Sequence, residues 1–200
     1  MLDARLRPFV DKLAGAAAVH IHKLGVSANQ MTLIGFAFGV AAALFIIADL
    51  MLAAFICFCL NRIADGLDGA LARLTKPTDA GGFLDIVADF LFYSLIPFAF
   101  GVADSGNQLA ALFLIFSFVG TGSSFLAYAI LATKRGISTE IRGQKSFYYL
   151  GGLTEGTETI IMLGLVILLP SMFVPVAVIF GCLCWLTTIS RIWAGWQNFQ

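Results

Sequence analysis

Long apolar runs fill most of the chain, and short polar breaks separate them. The first segment has a different pattern. Between residues 2 and 24, Leu2, Leu6, Phe9, Val10, Leu13, Ala17, Ile21 and Leu24 recur at helical spacing, with Arg5, Arg7 and Lys12 on the polar side. Over residues 1–25 this predicts an amphipathic helix lying in the membrane interface. Pro8 fits its first turns or kinks it there. A cleaved leader is the competing reading of residues 13–19. That run is short and Ala-rich, and His20, His22 and Lys23 follow it where a cleavage site should stand.

Beyond Ser27 the breaks delimit six spanning helices over residues 27–196. Ser27-x-x-Gln30 is a capping box and opens the first span, which runs to about residue 48. Asp49-Leu50 makes a tight turn, and the second span covers about 51–74, ended by Lys76-Pro77. The third covers about 80–102 and closes at the polar turn from Asp104 to Asn107. About 108–133, 146–169 and 172–196 supply the remaining three, with a polar loop at about 134–145 and Pro170 before the last. At about 20 residues per span, six helices use nearly the whole chain. The expected fold is therefore all-α: a single polytopic membrane domain of six transmembrane helices behind an N-terminal interfacial helix.

Composition supports the membrane assignment. Of 200 residues, 60% are hydrophobic and 12% charged, and mean hydropathy is +0.92. Soluble domains carry about 25% charged residues. Net charge is zero, which leaves no bulk electrostatic attraction for nucleic acid. Lys and Arg are missing from the turns near 49–51, 103–108 and 169–172, while Arg73, Lys76, Lys134, Arg135, Arg142 and Lys145 fall on the opposite side with the N-terminal basic residues. The positive-inside rule makes that side, and both termini, cytoplasmic. Phe147, Tyr148, Tyr149, Trp193 and Trp196 fall where a cytoplasmic aromatic belt is expected. Cys57, Cys59, Cys182 and Cys184 form two C-x-C pairs deep in apolar runs, read as packing residues because the spacing is not a zinc spacing.

Four carboxylates interrupt this apolar pattern: Asp65, Asp68, Asp85 and Asp89. Each costs roughly 2.5–3.5 kcal/mol at membrane depth on insertion scales, so a common reason is required. Asp65 and Asp68 lie in the last turns of the second span, spaced i, i+3. Asp85 and Asp89 lie in the first turns of the third, spaced i, i+4. Each pair shares a helix face, and both pairs lie near the cytoplasmic side. Four like charges in one volume need compensation. Hard divalent cations, Mg²⁺, Mn²⁺ or Ca²⁺, suit an all-oxygen set, with Mg²⁺ or Mn²⁺ the expected cofactor, and four carboxylates accommodate two ions. Gly66, Gly69, Ala70, Ala72, Gly81 and Gly82 leave room for a ligand, and Arg73 lies within reach of a phosphate. Spacing alone leaves two other readings open. The acids could form an ion path in a cation or proton transporter, or pair with basic residues such as Arg62.

Written out, Asp65-x-x-Asp68-Gly69-x-x-Ala72-Arg73-x7-Gly81-x-x-x-Asp85-x-x-x-Asp89 resembles the signature of the CDP-alcohol phosphotransferases (CDP-alcohol phosphatidyltransferases). The six-span layout with its N-terminal amphipathic helix resembles the family too, so the likeness extends over essentially the whole chain. It implies transfer of a phosphatidyl group from a lipid-linked CDP donor, typically CDP-diacylglycerol, to an alcohol acceptor, with release of CMP, in phospholipid synthesis. Asp65, Asp68 and Asp85 would bind metal, and Asp89 would be the general base and also touch metal. Asp65, Gly69, Ala72 and Arg73 would contact CDP, with Gly81 allowing close helix packing. The family further implies a homodimer in the cytoplasmic membrane, bacterial if the compactness of the chain is a guide.

Several polar residues lie outside the signature. Glu155 and Glu158 on the fifth span either orient a polar acceptor or pair with Arg62 or Lys145. Arg135, Arg142 and Lys145 are candidate contacts for an acceptor or lipid phosphate, against a plain role as cytoplasmic charge. His20 and His22 have no second ligand set and are not read as metal ligands. Gly35-x-x-x-Gly39 and Gly152-x-x-x-Gly156 permit close helix approach, within the chain or in a dimer.

Overall fold

The computed structural model describes residues 14–136 and 154–200. Among the described residues all regular structure is helical. Of the expected N-terminal helix, residues 14–23 are described and form α1. It is followed by α2 (Ala28–Ile47), α3 (Met51–Leu74), α4 (Asp79–Ala103), α5 (Gln108–Lys134), α6 (Gly156–Leu168) and α7 (Phe173–Phe199). One-turn 3₁₀ segments, Ser105–Asn107 and Pro170–Met172, precede α5 and α7.

The breaks act as the sequence pattern requires. Ser27 caps α2: its hydroxyl accepts from the Gln30 N–H, and the Gln30 side chain accepts from the Ser27 N–H at 2.9 Å. Asp49 turns the chain in the left-handed region (φ 58°), a conformation that Asp tolerates better than most residues. Thr78 caps α4 by accepting from the Gly81 N–H at 3.1 Å.

Four of these helices are long and apolar enough to cross a membrane: α2, α4, α5 with its preceding turn, and α7. Helix α3 has 24 residues but carries Arg62, Asp65, Asp68 and Arg73 from its middle onward. Helix α6 corrects the expected fifth span. Residues 146–153 lie outside the described residues, and the helix begins at Gly156, with Glu155 extended before it as its N-cap. The cause is local. The Glu155 carboxylate accepts from the N–H of Glu158, and the Glu158 side chain accepts from the N–H of Glu155 at 3.2 Å. These two acids therefore cap a helix, and Lys145, one of their expected basic partners, lies outside the described residues.

Helix α4 runs through the main core. Its Phe92, Ile96 and Phe100 are fully buried against side chains of α2, α3, α5, α6 and α7, and Phe100 stacks on Phe173 with ring centres 4.4 Å apart. Cys184 belongs to this core, and Cys57 and Cys59 pack against it as free thiols, in keeping with a packing role. A smaller cluster of Ala18, Met31, Ala64, Ala70 and Leu71 seats α1 on α2 and α3.

Helix α2 packs on both α3 and α4, and these two approach each other less than either approaches α2. Gly35 and Gly39 make this possible. A Cβ on Gly35 would lie 3.0 Å from the Ala64 Cβ, and one on Gly39 only 2.6 Å from the Phe92 ring. The motif thus serves packing within the chain, while Gly152 of the second motif lies outside the described residues. Gly39→Ala should lower the melting temperature in detergent by several degrees, since overpacking typically costs about 1–3 kcal/mol. Gly82→Ala, where a Cβ meets nothing within 4 Å, should leave it unchanged or slightly raised. Thermal melts of the two variants side by side check both expectations.

Candidate active site

The carboxylates come from the last turns of α3 and the first turns of α4. The connection between them, residues 75–78, is short, and both helices pack on α2, which brings these ends together. Asp65, Asp85 and Asp89 each present one oxygen to a common point, all three within 4.8 Å of one another. The two helix faces anticipated from i, i+3 and i, i+4 spacing do converge.

Asp68 has a more specific environment. It is 5% exposed, and its Oδ2 accepts a 2.7 Å hydrogen bond from the Thr32 hydroxyl of α2. Asp68 lines the same small cavity as Asp65 and Asp89, together with Thr32, Asn61 and Arg62. That cavity is about 10 Å³, room for one water-sized group.

Arg62 sits one turn before Asp65. One guanidinium nitrogen is 3.2 Å from Asp89 Oδ1 and another is 3.7 Å from Asp65 Oδ2. Its Nε donates to Asn61 Oδ1 at 2.7 Å, and Asn61 Nδ2 donates to the Gly35 carbonyl at 2.8 Å. The guanidinium lies over the Phe92 ring, 4.3 Å from its centre, and Tyr93 flanks it at 5.5 Å. Pairing of membrane acids with a basic residue is therefore present, and it coexists with the convergence of carboxylates.

The remaining signature residues lie around the same end of these two helices. Arg73 is exposed and folds back along α3, its Nη1 3.5 Å from where a Gly69 Cβ would stand. Ala72 is half-buried beside it. At Gly81 a Cβ would lie 2.9 Å from Asn29 Oδ1 and 3.1 Å from Thr78 Oγ1, so the start of α4 meets the start of α2 only through glycine.

Of the basic residues that follow α5, Arg135 is placed elsewhere. Arg135 donates to the carbonyls of Asn198 (3.2 Å) and Phe199 (2.6 Å), closing the C-terminal end of α7. Arg142 and Lys145 lie outside the described residues, as do Phe147, Tyr148 and Tyr149. Trp193 and Trp196 are both 68% exposed on α7. His20 makes a contact within α1, to the Ala16 carbonyl.

Sequence reasoning missed Thr32 and Tyr93 as parts of the site, and it named Arg62 only as a possible partner. The i, i+3 spacing of Arg62 and Asp65 was a usable signal. For Thr32 there was none, because 36 residues separate it from Asp68.

These helices, with acids gathered at one end of an apolar bundle, define an integral membrane protein with a polar reaction site. Residues 25–193 match the family model of the CDP-alcohol phosphatidyltransferases, and the chain belongs to that family. It is 52% identical over its whole length to the inner membrane protein YnjF of Escherichia coli, covering 98% of that protein. It is 29% identical to the archaetidylinositol phosphate synthase of Pyrococcus horikoshii, covering 98% of each chain. Its fold is similar to that of the Mycobacterium tuberculosis phosphatidylinositol phosphate synthase PgsA1, solved with CDP-DAG bound. The TM-score is 0.72 at 18% identity, over 92% of this chain and 94% of the other. Membership of a transferase family does not favour the transporter reading of the acids.

Proposed function

We propose that the protein transfers a phosphatidyl group from CDP-diacylglycerol to the hydroxyl of an alcohol, releasing CMP. The observation that carries this is the meeting of Asp65, Asp85 and Asp89 within 4.8 Å, in a chain whose acids occupy the family signature. A structural neighbour with CDP-DAG bound supports the lipid-linked donor.

The donor set fits divalent metal: it is all oxygen, drawn from two helices and half-buried. Asp65, Asp68, Asp85 and Asp89 would hold Mg²⁺ or Mn²⁺, two ions in our reading. When bound, such ions neutralise the pyrophosphate and stabilise the departing CMP. The chain supplies the rest. Gly69 and Ala72 leave space for the nucleotide, and Arg73 pairs with its phosphate. Asp89 accepts the proton of the acceptor hydroxyl. The hydroxyl oxygen bonds to the phosphorus that carries diacylglycerol, and the bond from that phosphorus to CMP breaks.

The whole chain forms one membrane domain in this reading. Helices α2 to α7 make six spans in this reading, with α3 and the 13-residue α6 completing the count, and both termini are cytoplasmic. The working form is a homodimer. Arg142 and Lys145 contact a phosphate of the acceptor or of neighbouring lipid.

The test is CMP release by purified protein from CDP-diacylglycerol with Mg²⁺ or Mn²⁺, offering inositol phosphate, glycerol 3-phosphate, serine and a phospholipid in turn. The names of two relatives put inositol phosphate first. Acceptor-dependent CMP that vanishes with EDTA is the expected result. A folded protein that releases no CMP from this donor, or from donors that link CDP to a head group, would overturn the reading.

A further inference from the structure

Resting on the reading of the acid cluster as a metal centre, we infer that Arg62 is its built-in counter-ion. It holds Asp65 and Asp89 in place ahead of the divalent cation, and it weakens binding of that cation by competing for Asp89. Arg62 is a positioning residue and touches no substrate.

Three observations support this. First, the charge is where repulsion is greatest. Carboxylates from α3 and α4 meet within 4.8 Å, and the guanidinium touches one from each helix, at 3.7 Å (Asp65) and 3.2 Å (Asp89). Second, the group is tethered. Nε is tied through Asn61 to the α2 backbone at Gly35, and the guanidinium carbon lies 4.3 Å from the centre of the Phe92 ring. A side chain only 12% exposed and held on these sides has little room to withdraw when another cation arrives. Third, the fork is needed. A guanidinium reaches Asn61, Asp65, Asp89 and the Tyr93 hydroxyl (3.5 Å) at once, and a lysine ammonium has neither the planar fork nor the ring stack. A divalent ion bound beside Asp89 therefore enters a site already partly neutralised.

The test measures stability and metal binding together, without activity. Arg62→Gln, Arg62→Lys, Asp89→Asn and the Arg62→Gln/Asp89→Asn double variant are purified in detergent. Melting temperature is taken in EDTA, and Mn²⁺ affinity by electron paramagnetic resonance. Arg62→Gln should melt lower in EDTA yet bind Mn²⁺ more tightly, by about tenfold or more, because a like charge beside the ligands is gone. Arg62→Lys keeps the charge and loses the tether, so it should melt lower with Mn²⁺ affinity close to wild type. Adding Arg62→Gln to Asp89→Asn should lower the melting temperature much less than adding it to wild type.

Unchanged or weaker Mn²⁺ binding in Arg62→Gln would overturn the inference, since a packing role alone does not tighten metal binding. Equal destabilisation in both backgrounds would overturn it too, and this comparison holds even if Arg62→Gln folds poorly. Wild-type protein that binds no Mn²⁺ would remove the metal-centre reading itself. Wild-type binding with no tightening in Arg62→Gln would remove only the role of Arg62.

Discussion

Asp89→Asn will cut acceptor-dependent CMP release by about a thousandfold, within the usual range for loss of a general base. Asparagine keeps the shape of the side chain and its ability to accept a hydrogen bond from Arg62, so the helices have no steric reason to move. What disappears is the negative charge and the capacity to take a proton. The three acids are not equivalent here. Asp89 is the one in closest contact with Arg62, at 3.2 Å, and that contact fixes one of its oxygens. A fixed carboxylate presents its second oxygen in a defined direction, as proton transfer from a bound alcohol requires. Asp79 provides the control. It is exposed in the first turn of the same helix, and Asp79→Asn should leave the rate within about twofold of wild type, as surface changes usually do. Single-turnover CMP release, with a melting curve for each variant, separates lost chemistry from lost folding. If Asp89→Asn stays within about tenfold of wild type, Asp89 does not act as the base.

The elements this chemistry rests on were legible in the sequence wherever the signal was local. Hydropathy together with Ser27, Asp49, Lys76-Pro77 and Asp104 set helix ends to within a residue or two, because capping and turning depend on the few residues that perform them. Convergence of Asp65, Asp85 and Asp89 was also readable, since helical spacing and a short connection between antiparallel helices leave little freedom. Contacts between distant segments were not. Nothing near Asp68 announces Thr32, and nothing near Arg62 says that Phe92 will lie under its guanidinium. The start of α6 was misread because an apolar run continues back through Tyr148, Tyr149 and Leu150, while Glu155 and Glu158 cap each other and begin the helix at Gly156. Arg135 was weighed as a phosphate contact from charge alone. Its tie to the end of α7 depends on chain 63 residues away.

Because Asp68 is hydrogen-bonded to Thr32 while Asp65 faces the cluster, the two acids of one signature should fail differently. Asp65→Asn removes an oxygen from the group of three and a charge beside Arg62. It should reduce CMP release by about a thousandfold or more and abolish the rise in melting temperature that Mg²⁺ or Mn²⁺ produces, since loss of a direct ligand removes transition-state charge stabilisation. Asp68→Asn can still accept the Thr32 hydroxyl, so the buried contact survives the loss of charge. Thr32→Val keeps the charge and removes the hydrogen bond that orients it. That variant should lose about 10–100-fold, the usual range for a group that positions a ligand. The two substitutions therefore bracket the site from opposite sides. If Asp68 holds metal, Asp68→Asn falls below Thr32→Val in both CMP release and metal-induced stabilisation, though less far than Asp65→Asn. If Asp68 only ties α3 to α2, Thr32→Val is the more harmful in EDTA melts, and Asp68→Asn keeps most of its response to metal. Melting curves with and without Mn²⁺ for all three variants decide between these before any substrate is added. The geometry favours the first outcome, because Asp68 lines the same cavity as Asp65 and Asp89.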